Sequence, residues 1–112
     1  MNVQPGLSKT NAIDLLTTAI YAIPELKHQS RSADSPEFTE WKRNTETSIS
    51  LIFGKTHHLR NFQSVPFHPF CSKHDRNISA RNRFFLLSGL ARAKIILEYM
   101  VEEVEESWAE DE

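Results

Sequence analysis

Apolar residues recur along this chain at steps of three and four, so the pattern is helical nearly throughout. Ile13, Leu16, Ile20 and Ile23 form the first stripe, in a helix that opens near residues 8–11, where polar side chains offer a cap. Pro24 interrupts that stripe by removing an amide donor and disfavouring helix at Ile23. It marks either a stop or a kink, with a further turn over 25–28 and a polar loop over 29–33. The second helix carries the clearest punctuation. Asp34 and Ser35 offer caps, Pro36 suits the first helical position and Glu37 favours the positive end of the dipole. Phe38, Trp41, Thr45, Ser48 or Ile49, and Ile52 share one face, and Gly54 sits where a left-handed C-terminal cap belongs.

Residues 56–62 read as a short helical turn capped by Thr56. Two prolines then make residues 65–70 an extended connector, and Phe62, Phe67 and Phe70 are apolar enough to pack across helix ends. The last helix begins between residues 75 and 79 and runs to about Trp108. Its seam is Leu86, Leu90, Ala93, Leu97, Met100 and Val104, widened by Ile95, Ile96 and Val101. That width predicts cover on more than one side, from a three-helix core or from a partner chain. The expected fold is an all-α single domain over 1–112, with three main helices, a short one and a long C-terminal helix. Residues 1–8 are expected to be a flexible N-terminus and residues 107–112 an acidic tail.

Bulk composition changes this picture little. The chain has 112 residues, 39% hydrophobic and 25% charged, which suits one ordinary globular domain. A single cysteine, Cys71, excludes an internal disulfide and fits a reducing compartment. No apolar run reaches the roughly 18 residues that span a bilayer, and residues 1–6 lack the features of a secretory signal. The expected location is cytoplasmic, in a bacterium or an infected host cell.

Charge changes it more. Residues 55–94 hold eight cations against one acid, Asp75, together with four of the five histidines. From Glu98 onward there are eight acids and no cation, so the net charge of −2 is a cancellation. A positive belt favours an anionic ligand. Arg76, Arg81 and Arg83 fall in the first turns of the last helix, where cations oppose the dipole and an anionic partner would compensate. The plainer reading is a solvated basic face paired with Glu37, Glu40 or Glu46. His68, Cys71 and His74 recur every third residue, but the spacing matches no paired zinc motif and the basic surroundings repel a dication, so no metal or other cofactor is expected. A nucleophilic dyad at Cys71 has little to support it, and no glycine-rich phosphate loop occurs. The chain is therefore not expected to be an enzyme.

The run Phe38-Thr39-Glu40-Trp41, then Thr45-Glu46, Ile52-Phe53-Gly54 and Phe62, followed by Phe85, Gly89, Leu90, Ala93 and Leu97, resembles a bacterial helical module. That module forms the N-terminal region of predicted nucleotide-binding proteins with TIR-like domains and of other abortive-infection-type proteins. The resemblance covers about residues 10–105 and rests on short, largely structural motifs. It implies a domain that binds, oligomerises or competes, because the effector domain of those longer proteins is absent from this sequence. Carried by a phage, such a copy would serve to sequester an immune messenger of the cyclic oligonucleotide or ADP-ribose type.

The resulting expectation is a non-enzymatic binder of a small nucleotide second messenger. Arg76, Arg81 and Arg83 would clamp phosphates, His57, His58 and His74 would donate hydrogen bonds, and Trp41 or Phe84 would stack on a base, with Arg43 and Arg60 in the same set. The acidic tail disfavours extended nucleic acid. The alternative is a protein-binding adaptor or oligomerisation module in a bacterial defence system. It is supported by the wide last helix, which predicts a homo-oligomer paired through Leu97 and Met100.

Overall fold

A computed structural model describes residues 7–67 and 78–109, and these form an all-α domain. The elements are α1 (Lys9–Tyr21), α2 (Ile23–Gln29), α3 (Pro36–Phe53), α4 (His57–Gln63) and α5 (Ile78–Ser107). Three long helices and two short ones result, because Pro24 ends α1 and opens α2 rather than bending one continuous helix. Ser8 caps α1, its Oγ accepting from the Asn11 amide at 3.1 Å, so the order of the N-terminus reaches back into the stretch expected to be flexible.

Two long-range contacts fix the direction of the helices. The Lys9 ammonium donates to the Glu105 carbonyl at 2.8 Å, at the C-terminal end of α5. Arg83, near the start of α5, donates to the carbonyls of Lys27 and Ser30 at the end of α2. The α1–α2 arm therefore runs antiparallel to α5, and each cation sits on a helix C-terminus, where the dipole favours it. On its other side α1 packs against α3, and α4 links the end of α3 to α5.

The seam of α5 is spent within the chain. Leu86, Leu90, Ala93, Leu97, Met100 and Val104 are all buried. The expected pairing of two chains through Leu97 and Met100 is thus corrected: those side chains already belong to the core. Ile96 and Val101 flank the seam, whereas Ile95 stays exposed. The first stripe is corrected too. Ala12, Leu16, Ala19 and Ile23 are buried, while Ile13 and Ile20 lie half-buried at the edges. A helix held between two others needs its smallest side chains along the contact, and alanines provide them.

On α3 the buried face is Phe38, Trp41, Thr45, Ile49 and Ile52, and Gly54 closes the helix at φ 72°. Ser35 occupies the cap position but turns its hydroxyl to the Ser32 carbonyl, 2.6 Å away. Phe62 and Phe67 pack over the α3 aromatics, Phe67 making an edge contact with Phe38 at 4.8 Å between centroids. Phe70, His68 and Cys71 lie outside the described residues. At the far end Trp108 packs half-buried against the core, and Glu110, Asp111 and Glu112 are not described. Among the described residues no helix is long and apolar enough to cross a membrane.

Candidate functional site

The residues expected to form one anion site do not converge. Trp41 is a core residue, 7% exposed, and its indole N–H donates to the Ala19 carbonyl at 2.9 Å. It tethers α3 to α1, and little of its ring is exposed for a base to stack on. Lys42, beside it, pairs with Glu46 at 2.9 Å, while Arg43 is exposed on α3, apart from the start of α5.

His58 has a structural part as well. Its ring stacks on Phe53 with centroids 3.9 Å apart and planes 8° from parallel. Its Nε2 lies 3.0 Å from the Glu103 carboxylate and its Nδ1 lies 3.2 Å from the Thr56 hydroxyl. Nε2 thereby ties α4 to α5 and the stacked ring ties it to α3, while Nδ1 is engaged locally at the cap of α4. His57 sits beside it, 4.1 Å between ring centroids, and Arg60 is exposed on the same short helix. Glu103 is twenty residues beyond Arg83 on α5, about 30 Å along a helix. The histidines of α4 and the arginines of early α5 therefore cannot hold one small ligand together. His74 and Arg76 lie outside the described residues.

What the structure does bring together is a cationic recess where α2 meets α5. A cavity of about 630 Å³ is lined by His28, Arg31, Ser32, Ala80, Asn82 and Arg83. Among the described residues its lining has three basic side chains, two polar ones and no carboxylate. Arg83 reaches across it, donating Nη1 to Ser30 O at 3.2 Å and Nη2 to Lys27 O at 3.1 Å. A guanidinium has five donors, so the fork that caps α2 has others to offer. Arg81 and Phe84 are exposed nearby on the same helix. Sequence reading passed over His28 and Arg31 because both lie before the basic belt begins. The signal was the polar stretch around the break after α2, read only as a connector.

Ser30, at this junction, is fully buried, and its hydroxyl has no partner among the described residues. A second and larger concavity of about 780 Å³ runs between the α1–α2 arm and α3. Its character is opposite: Leu15, Leu26 and Trp41 give it an apolar floor, and Asp14, Glu25, Glu37 and Glu40 stand along it without any cation in the lining among the described residues.

No protein-family model matches the chain, and no similar curated protein or solved structure was found. The functional reading therefore rests on the geometry of these two concavities.

Proposed function

We propose that this chain is a non-enzymatic binding module for a small phosphate-bearing anion, held in the recess between α2 and α5. The observation that carries this reading is the lining of that recess, with His28, Arg31 and Arg83 present and no acid opposing them among the described residues. Arginine forks make charge-assisted, often bidentate bonds to phosphate, and Arg31 and Arg83 are the residues suited to that role. The amides of the first turn of α5 add a positive field on the same side. The recess volume of about 630 Å³ falls within the range of small-molecule sites.

The finer statement combines this pocket with the family resemblance: the ligand is a nucleotide messenger of the cyclic oligonucleotide or ADP-ribose type, sequestered in the cytoplasm as a phage-encoded sponge would do. Exposed Phe84 is the aromatic surface near the recess on which a base would stack. Relative to the sequence expectation, Arg31 and His28 join the phosphate-holding set, and Trp41, His58 and Arg43 leave it.

Thermal melting against a panel of cyclic nucleotides and ADP-ribose isomers tests this. Saturation at a hundredfold over Kd is expected to stabilise the fold by about 2.7 kcal/mol, a shift of several degrees for a domain of this size. The shift should shrink with salt and disappear in Arg31→Ala, whose ligand-free melting should match wild type. A flat response across the panel, or a shift retained in Arg31→Ala, would overturn the reading.

The groove between α1 and α3 favours a second reading, that of a protein-binding module. Its apolar floor and acidic walls are unsuited to a nucleotide and suited to a basic amphipathic helix.

A further inference from the structure

The outer face of α5 is the counterpart of that groove. Phe84, Ser88, Ala91, Ile95 and Tyr99 follow one another at helical steps, and all five are exposed. The three large side chains among them are 64%, 54% and 68% exposed at Phe84, Ile95 and Tyr99. This stripe is displaced by two residues from the buried seam, about 200° around the helix, so it points away from α1. Arg92 and Lys94 flank Ile95, both exposed, and neither makes an ion pair among the described residues. Acids begin on this face only at Glu98.

The dimensions match as well as the charges. The groove is walled on one side by the α1–α2 arm, from Leu7 to Gln29, and on the other by α3 from Glu37 to Ser48. The α3 wall spans eleven residue steps, as does the stripe from Phe84 to Ile95, or about 16 Å of helix in each case. Small side chains at Ala19, Ala22 and Ser48 allow a third helix to approach closely. The carboxylates of Glu37 and Glu40 are exposed and have no cation partner among the described residues.

We propose that the groove between α1 and α3 receives the outer face of α5 from a second copy of this chain. Phe84 and Ile95 occupy the apolar floor, while Arg92 and Lys94 meet the acidic walls. The contact is heterologous, because groove and face are different surfaces, so assembly continues from copy to copy until a ring closes or a fibre grows. The proposal rests on the protein-binding reading and shares with the anion recess only Phe84, not the phosphate-holding Arg31 and Arg83. Its failure would leave the nucleotide test unaffected.

Sedimentation of the full chain tests it with two variants at exposed positions. Ile95→Glu disables the α5 face, and the double substitution Glu37→Arg with Glu40→Arg disables the groove. Wild type is expected to exceed monomer mass, increasingly with concentration and less at high salt. Each variant alone should remain monomeric with unchanged helix content; Ile95→Ser replaces Ile95→Glu should helicity fall. An equimolar mixture should give a discrete dimer, because one intact face then meets one intact groove and the chain of contacts ends there. A monomeric wild type, a variant that assembles like wild type, or a mixture that stays monomeric would each overturn the proposal.

Discussion

Gly89 shows how little room the connector leaves above α5. A Cβ at that position would stand 2.5 Å from Cδ1 and 2.9 Å from Cε1 of Phe67, with the Pro66 carbonyl oxygen at 3.1 Å. The Phe67 ring packs against Phe38, Trp41 and Phe62, so shifting it would disturb three aromatic contacts. Alanine's helical advantage of about 1 kcal/mol competes with an overpacking cost of about 1–3 kcal/mol. Gly89→Ala is therefore expected to lower Tm, and an equal or higher Tm would mean that the ring yields. Ser30→Ala has the opposite sign. The substitution removes a buried hydroxyl without a partner and keeps the backbone bonds of Ser30 to Leu26 and Arg83. A gain of about 1 kcal/mol in a denaturant titration is expected, and a loss would reveal a partner for that hydroxyl. Residues differ in how much of this their neighbours disclose. The place of Trp41 is written in its period with Phe38 and Thr45, which puts it in the core rather than under a stacked base. The pairing of His58 with Glu103 spans forty-five positions of sequence and leaves no local trace.

Elements divide along the same line between local and distant causes. The bounds of α3 were legible because Pro36 and Gly54 act within a turn of themselves, as was the α5 seam, whose period is sustained over five turns. The contact face of α1 was not, because hydrophobicity points to isoleucine whereas a helix between two neighbours selects alanine at closest approach. The seam makes a sharp distinction testable. Leu97→Asp is expected to unfold the domain, because Leu97 is fully buried against the chain's own helices; polar substitution of a core leucine costs at least the roughly 2–5 kcal/mol of truncation to alanine. A folded Leu97→Asp chain that had lost only its self-association would contradict the buried seam. The same logic separates Arg83 from Arg31. Arg83→Ala should quicken amide exchange across α2, whose terminal carbonyls it caps, while Arg31→Ala should leave α2 as protected as before. Equal protection in the two variants would show that the cap contributes nothing to holding α2.

Considered as a whole, the molecule is a long spine with a shorter arm folded back along it. The domain measures 56 × 24 × 20 Å, and α5, at 30 residues, accounts for about 45 Å of the longest dimension. The all-α architecture was readable from periodicity and glycine scarcity. Which concavity collects cations and which collects acids was not, because that depends on how separate helices are brought side by side. Lys9 and Glu105 meet at one end of the spine, which places the first and last described turns together. A covalent join between the termini, with the chain reopened at the exposed Lys55–Thr56 bend, should therefore preserve the helix content and cooperative melting of the parent. Loss of cooperativity in that permutant would mean that the α3–α4 corner must be continuous for folding. The meeting of Lys9 with Glu105 also gives the described helices the topology of an insert: the polypeptide leaves a point and returns to it, so a host protein could carry them in a surface loop as a closed bead without its own fold being prised apart.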